Sequence, residues 1–199
     1  LAVFFLARIL GALYFINNID DKDLVARSRR SLIGNSVLFL VFFLSFVIRT
    51  LLADGYAVNP ETGEVFMEPY KYLTNFIEMP LVLVLFLIGV VLVLFGIGKS
   101  LLKTKFDKGI WFTGIGTVLA VLALLLVAGY NNTAYYPSTN DLQSSLTLAN
   151  SCSSQFTLRV MFYVSFLVPF VLAYIFYAWR SIDIHKISEK EMKDGGHAY

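Results

Sequence analysis

The sequence predicts an all-α membrane protein, a polytopic bundle of about five transmembrane helices. Of its 199 residues, 57% are hydrophobic and only 15% are charged, and the mean hydropathy is +0.69. A soluble domain carries about 25% charged residues. Five apolar runs also approach the length of about 20 residues that crosses a bilayer core as a helix. We therefore expect residues 1–199 to form a single membrane domain.

The five apolar segments are separated by polar connections. The third segment has no charged residue and opens with Pro80, and proline is tolerated in the first turn of a helix. Asn75 and Glu78 precede it as candidate caps. Pro169 lies near the middle of the fifth segment and should kink that helix. The predicted spans are residues 1–16, 32–53, 80–98, 110–130 and 158–179.

The fourth segment carries a packing signal. Gly116 and Ala120 stand four residues apart, and such a pair of small residues lets two helices approach closely. Because this pattern is common by chance in apolar helices, the pair by itself identifies no partner helix.

Lys and Arg alternate between the connections. Residues 17–31 and 99–109 contain four cations each, residues 54–79 contain only Lys71, residues 131–157 contain none, and the tail is again rich in cations. Cytoplasmic loops of membrane proteins carry the excess of Lys and Arg. The alternation predicts five crossings, with the first and third connections and the C-terminus in the cytoplasm.

The two cation-poor connections are predicted to face the outer side. Asn59–Gly63 has the composition of a turn. Residues 66–76 mix aromatic and charged side chains, as a segment lying in the membrane interface does. Residues 131–157 are rich in Ser, Thr and Asn and contain the single cysteine, Cys152, so no disulfide can form within this sequence.

The sequence begins inside an apolar run. It has neither an initial methionine nor the basic region and small-residue cleavage site of a signal peptide. We therefore expect the chain to be the C-terminal part of a longer subunit, cut within a helix.

Ligands for a metal or a haem are scarce. Such sites need His, Cys, Met or carboxylate groups held together on rigid elements. The only histidines, His185 and His197, lie in the C-terminal tail, and the methionines are scattered. A nucleophile–base pair and a Walker-type phosphate loop are also missing from the sequence. We expect no catalytic residue and no metal site in this chain.

Polar residues within apolar segments are costly and usually have partners. Arg8 lies about eight residues, or about 12 Å of helix rise, from the cytoplasmic end of its segment. It either snorkels or pairs with a neighbouring helix, or it faces a charged group of a partner subunit or a cofactor carboxylate. Asn35 and its neighbour Ser36 are predicted to form hydrogen bonds between helices. Arg49 and Arg159 lie at outer helix ends, where they reach the interface.

Several separated motifs occur in a characteristic order. The motifs are Gly11–Tyr14, Asp23-Leu24, Arg27–Arg29, Asp54–Tyr56, Leu73–Phe76 before Pro80, Pro137–Thr139, Ser145–Thr147, Ser153-Ser154, and Thr157-Leu158 before Met161. This ordered set, which covers nearly all of residues 11–180, resembles the C-terminal half of subunit II of the cytochrome bd-type quinol oxidases. The sequence departs from the family's pattern at Asp23, where the family has Glu.

The resemblance implies a subunit of about nine transmembrane helices, built as two bundles plus a further helix. This chain would supply the last five. In that family subunit I carries haem b, haem d, the quinol site and the site of dioxygen reduction. Subunit II pairs with it, is similar in fold and has no haem ligands. Its acidic residues for proton delivery lie in the N-terminal half, so no catalytic residue is carried over to this chain.

The resemblance also implies a function, a location and partners. The chain would be the non-haem subunit of a quinol:dioxygen oxidoreductase in the bacterial cytoplasmic (inner) membrane. Its complex oxidises quinol, reduces dioxygen to water and generates a proton gradient. The implied partners are subunit I, small single-helix accessory subunits, membrane lipid and quinone, with a structural quinone in some members and no nucleic acid.

A transporter or channel subunit is the alternative. Hydrophobic helices, Arg8 and the kinking Pro169 fit that class equally well on physical grounds. Transporters often show inverted repeats and broken helices near the bilayer midplane, and neither is found in this sequence. An assembly factor is a third option, which predicts absence from the mature complex.

Overall fold

The predicted helical bundle is confirmed. The structure, a computed structural model, describes residues 1–103, 106–182 and 187–188. The helices are α1 (Ala2–Asn18), α2 (Lys22–Leu52), α3 (Lys71–Glu78), α4 (Pro80–Leu102), α5 (Gly109–Gly129), α6 (Leu148–Ser151), α7 (Gln155–Ser165) and α8 (Val168–Ile182). The short strands are β1 (Ile19–Asp20), β2 (Gly55–Val58), β3 (Val65–Glu68) and β4 (Ile187–Ser188).

Four helical stretches are long and apolar enough to cross a membrane. They are α2, α4, α5 and the consecutive helices α7 and α8, while α1 is a shorter apolar helix of 17 residues. The largest difference from the prediction is the start of α2 at Lys22 instead of residue 32. The Asp21 carboxylate accepts hydrogen bonds from the backbone N–H groups of Asp23 and Leu24, at 2.8 and 2.9 Å. This N-cap stabilises the start of α2 at Lys22, so the charged residues before residue 32 are part of the same helix as the apolar run.

Pro80 acts as predicted, whereas Pro169 lies beside a break in the helix where the sequence predicted a kink. Pro80 occupies the first turn of α4, where its missing N–H removes no helical hydrogen bond. Pro169 lies in the first turn of α8, and the helix is interrupted just before it at Phe166 and Leu167. Because proline cannot donate to the preceding turn, the fifth predicted segment becomes two helices.

The tightest contact in the bundle joins α4 and α5. A Cβ atom on Gly89 would lie 2.6 Å from the backbone nitrogen of Ala120, and one on Gly116 would lie 2.6 Å from the carbonyl oxygen of Gly89. Gly96 and Gly109 make a second close approach nearer the Lys99 end of the two helices. The predicted pairing of Gly116 and Ala120 is therefore a real packing surface, and its partner is α4.

The core lies between α1, α2, α4 and α5. Ile9 and Leu13 of α1 pack with Leu32 of α2 and with Val93 and Ile97 of α4, and all five are buried. A second cluster joins α3, α4 and α5 towards the other end of the bundle; it contains Phe76, Phe86, Ala120, Ala123 and Val127. Residues 155–177 of α7 and α8 are all exposed and belong to neither cluster.

A layer of short strands, short helices and loops covers the end of the bundle at which α2 and α5 finish. Strands β2 and β3 pair antiparallel around the predicted Asn59–Gly63 turn, which a 2.8 Å hydrogen bond from Gly63 N to Asn59 O closes. Residues 66–76, predicted as one interfacial segment, divide between β3 and α3. The chain after α5 adds to the hairpin, with Val58 N donating to Asn132 O at 2.8 Å. We call residues 54–79 and 130–151 the cap.

The contact between α4 and α5 generates a stability prediction. We expect Gly116→Ala to lower the free energy of unfolding by about 1–3 kcal/mol, because the new methyl group meets the α4 backbone and overpacks the contact. Gly114→Ala is the matched control on the same helix, since a Cβ there meets no atom within 4 Å. Chemical denaturation of the detergent-solubilised protein would measure both variants. Equal stability of the two would contradict this packing.

Candidate functional site

A buried asparagine ties the cap to the bundle. Asn75 of α3 has 0% of its surface exposed. Its Nδ2 donates to the carbonyl oxygen of Val127 at 2.9 Å and to Thr133 Oγ1 at 2.8 Å, and its Oδ1 accepts from Asn131 Nδ2 at 3.1 Å. The prediction that Asn75 caps the next helix is therefore wrong, because Met79 holds the N-cap position of α4. Asn75 instead satisfies polar groups where α5 ends.

The chain leaving α5 turns sharply towards α3. Asn131 and Asn132 have φ angles of +54° and +52°, in the left-handed region that asparagine tolerates better than most residues. Asn131 Nδ2 also donates to Glu78 Oε2 at 2.5 Å. Glu78, the other residue predicted to cap α4, thus fixes this turn.

A glutamine side chain joins the cap hairpin to the loop after α5, with the two hydrogen bonds that a neighbouring strand would make. Gln143 Oε1 accepts from the backbone nitrogen of Val65 at 3.0 Å, and its Nε2 donates to the carbonyl oxygen of Val65 at 2.9 Å. One amide therefore satisfies both backbone groups of a residue in β3. The predicted outer connections, which lie far apart in sequence, form one layer.

Lys71 is the single cation in the two predicted outer connections, residues 54–79 and 131–157, and it is buried under the hairpin. Lys71 is 7% exposed, and its Nζ lies 3.2 Å from a carboxylate oxygen of Glu68. Burial raises the pKa of the neighbouring Tyr72 above its ordinary value near 10, and Tyr56 acts in the same direction. Tyr72 is therefore a neutral phenol at physiological pH.

The cap exposes two kinds of side chain, acidic residues and tyrosines. The exposed acidic residues give it a negative surface, and the exposed tyrosines suit a membrane interface because they present both an apolar ring and a polar hydroxyl. The acidic residues are Asp54, Glu61, Glu64, Glu78 and Asp141, and the tyrosines are Tyr70, Tyr130, Tyr135 and Tyr136.

Cations mark the opposite end of the bundle. Arg29 of α2 donates to the carbonyl oxygens of Ser100, Lys103 and Phe106, the last two at 3.3 and 3.4 Å. A guanidinium there complements the unpaired carbonyl groups and the negative dipole end of α4. The Lys99 ammonium lies 4.9 Å from the ring centroid of Phe95 and 4.6 Å from that of Phe106.

The four residues singled out in the sequence do not form one site. Arg8 is exposed on α1, on a groove that it shares with Ser31 of α2. Asn35 donates to the carbonyl oxygen of Ser31 at 2.6 Å and to its Oγ at 3.0 Å, so these bonds stay within α2. Arg49 and Arg159 are exposed at separate helix ends. Their roles at an interface stay predictions.

The hydrogen bond of Ser36 also differs from the expectation of bonding between helices. Its hydroxyl donates to the carbonyl oxygen of Leu32 in the same helix at 2.7 Å. The sequence reasoning missed Asn75 and Arg29 as organising residues. Their only signals were an Asn just before a Pro-initiated helix and one more cation in a basic connection.

Cofactor ligands do not converge in the described part of the chain. No three His, Cys, Asp or Glu side chains there come close enough to hold a metal ion. The two histidines of the sequence, His185 and His197, lie outside the described residues. Cys152 is a free, exposed thiol in the cap-side loop.

Comparison with known proteins gives a consistent result. The family model described as cytochrome bd terminal oxidase subunit II matches residues 1–182. The chain is 32% identical over 136 residues to cytochrome bd-I ubiquinol oxidase subunit 2 of Escherichia coli K12, and equally to that of Escherichia coli O157:H7. The match covers 67% of this chain and 34% of each relative, so the chain spans about a third of the length of the curated relatives it matches.

The Asn75 contacts generate a prediction for the cap. We expect Asn75→Ala to destabilise the cap by about 1–3 kcal/mol, because the carbonyl oxygen of Val127 and the hydroxyl of Thr133 lose their buried partner. Limited proteolysis of the hairpin, followed by mass spectrometry, would report the loss.

Asn140→Ala serves as the matched control for this variant. Asn140 is an exposed cap asparagine, and its hydrogen bond uses the backbone nitrogen, which the substitution keeps. Equal cleavage rates in the two variants would contradict the prediction that the hydrogen bonds of Asn75 hold the cap on the bundle.

Proposed function

The chain belongs to the cytochrome bd terminal oxidase subunit II family, and we propose that it acts as the non-haem subunit of a quinol:dioxygen oxidoreductase in a bacterial respiratory chain. The observation that carries this proposal is the family match over residues 1–182, nearly the whole chain. In the proposed complex, two quinol molecules give four electrons and four protons, and one dioxygen is reduced to two water molecules. The separation of these two half-reactions across the membrane generates the proton gradient.

We assign the haems b and d to the partner subunit I. Axial ligation by histidine is not available in the helices described here, because both histidines of the sequence follow residue 182. No electron-transfer step is therefore assigned to this chain. Its proposed work is to scaffold the haem-bearing subunit and to hold the cap in place.

The uncovered last helix supports a scaffolding role. Residues 155–177 present large apolar side chains on every face, among them Phe162, Phe166 and Phe170. A helix that is apolar on all faces is stable in lipid or packed against other membrane helices. We propose that α7 and α8 pack against membrane helices of the oxidase complex, together with small single-helix accessory subunits where these occur.

A structural quinone fits the chain only in part. A cavity of about 510 Å³ lies between α1, α2, α4 and α5, with walls that include Phe39, Phe43 and Val93. Its apolar walls suit an isoprenoid tail. Thr117 is the hydroxyl residue of the lining, and its Oγ1 already donates to the Thr113 carbonyl oxygen at 2.7 Å. The cavity offers no free donor for a quinone carbonyl, so no redox step is placed there.

Charge distribution supports an orientation. The Arg29 and Lys99 end of the bundle carries the cation-rich connections, and the cap carries acidic side chains. By the excess of cations in cytoplasmic loops, we propose that the cap faces the outer side of the cytoplasmic membrane and that the C-terminus is cytoplasmic.

Labelling of Cys152 tests this orientation. The thiol is exposed next to the cap, so a membrane-impermeant maleimide should modify it in intact spheroplasts. Cys152→Ser should abolish that labelling. A cysteine introduced as Lys103→Cys in the Cys152→Ser background should react only after permeabilisation. Labelling of Lys103→Cys, but not of Cys152, in intact cells would reverse the proposed topology.

An optical spectrum tests the function. The full-length protein, tagged at its C-terminus, would be purified from native membranes. We expect a second chain to copurify and the reduced-minus-oxidised difference spectrum to show haem b and haem d bands. A colourless preparation of a single chain would overturn the proposal, and solute flux in liposomes would then favour the transporter or channel alternative.

A further inference from the structure

A polar groove runs between α1 and α2 on the outside of the bundle. It has a volume of about 470 Å³. Two arginines and two serines line it, together with an aromatic and an aliphatic side chain. The polar residues are Arg8, Arg27, Ser28 and Ser31, and the apolar residues Phe15 and Leu24 are those nearest the turn between α1 and α2.

The two arginines have no carboxylate partner among the described residues. Helix α1 contains no acidic residue, and the guanidinium of Arg8 lies 5.8 Å from the ring centroid of Phe4. The salt bridge found in the described part of the chain joins Lys71 and Glu68 at the opposite end of the bundle. Two cations therefore line one groove, and neither forms a salt bridge with a carboxylate in residues 1–103 or 106–182.

The groove lies near the basic end of the bundle. Its residues Arg27 and Ser28 are neighbours of Arg29, which bonds to the Ser100 carbonyl oxygen at the end of α4. On α1, Leu13 lies near the start of α5, because a Cβ on Gly109 would be 3.1 Å from Leu13 Cδ2. Arg8 is five residues from Leu13, or about 7.5 Å of helix rise. The groove therefore opens near the end of the bundle that carries the cation-rich connections.

We propose that this groove binds the phosphodiester headgroup of an anionic phospholipid. Arg8 and Arg27 pair with the phosphate oxygens, since guanidinium groups match phosphate geometry with two parallel hydrogen bonds. The hydroxyl groups of Ser28 and Ser31 donate to the remaining oxygens. An acyl chain lies along the exposed side chains of Phe4 and Leu38, which follow the groove away from the turn between α1 and α2.

The chemistry of the groove favours a lipid over a protein partner. A carboxylate and a phosphodiester each carry one negative charge, but the headgroup of an anionic phospholipid adds hydroxyl groups for the serines and an acyl chain for the neighbouring apolar residues. Basic pockets between transmembrane helices near the membrane surface bind such headgroups. The groove face of the two helices continues into exposed apolar residues, Phe4 on α1 and Leu38 on α2, where lipid has access.

The test measures phosphatidylglycerol binding to the purified oxidase complex. The complex would be placed in phosphatidylcholine nanodiscs with increasing phosphatidylglycerol, and native mass spectrometry would count the anionic lipids retained. Loss of one arginine near a membrane surface weakens binding by about fivefold. We therefore expect about fivefold weaker retention of one lipid in Arg8→Gln and in Arg27→Gln, and a smaller loss in Arg8→Lys, which keeps the charge but not the two parallel hydrogen bonds.

Arg30→Gln is the matched control, because Arg30 is an exposed arginine of the same helix outside the groove. Equal retention in Arg8→Gln, Arg27→Gln and Arg30→Gln would overturn the proposal. Displacement of the lipid by excess inorganic phosphate alone would assign the groove to a free anion and overturn it as well.

A second measurement keeps the proposal testable if a variant fails to assemble. A photoactivatable phosphatidylglycerol would be cross-linked to the wild-type complex, and peptides would be mapped by mass spectrometry. Adducts on residues 8–31 support the site. Adducts confined to other regions, or a peptide of another subunit seated at Arg8, would overturn it.

Discussion

The close approach of α4 and α5 is the constraint on which the rest of the bundle depends. Glycine and alanine bring the two backbones together, so dispersion contacts between main chains replace those of large side chains. Apolar burial adds little in a membrane, because lipid tails are as apolar as leucine. Helices α1 and α2 then pack their larger residues against this pair, with Leu13, Leu32 and Ile97 in one cluster.

Each end of this helix pair is closed by a polar side chain from another element. Asn75 satisfies the carbonyl oxygen of Val127 near the end of α5, and Arg29 satisfies carbonyl oxygens at the end of α4. Unpaired carbonyl groups at helix ends are costly where water is scarce. The Asn75 amide therefore donates to a carbonyl group at the capped end of the helix pair, and the Arg29 guanidinium donates to carbonyl groups at the basic end. This difference follows the same asymmetry of charge on which the proposed orientation rests.

Much of the fold could be predicted from sequence, and less of the candidate site. The spans, the Pro80 start and the break before Pro169 follow from hydrophobic length and from the missing N–H of proline. The sequence did not predict the hairpin of the cap, the pairing of Gln143 with Val65 or the intrahelical bonds of Asn35. The first two depend on contacts between residues that are distant in sequence. The third depends on which hydrogen-bond acceptor lies nearer to the Asn35 amide.

The sequence by itself determined the membrane class, the helix-length segments and the alternation of cations, because hydrophobic transfer and loop charge act residue by residue along the chain. The ordered motifs also determined the family, which the comparisons show. Only the tertiary structure decided that Asn75 joins the cap to α5 and that Arg8 and Arg27 face one groove. Hydrogen bonds and ion sites need atoms within about 3 Å of each other, and packing of distant segments sets those distances.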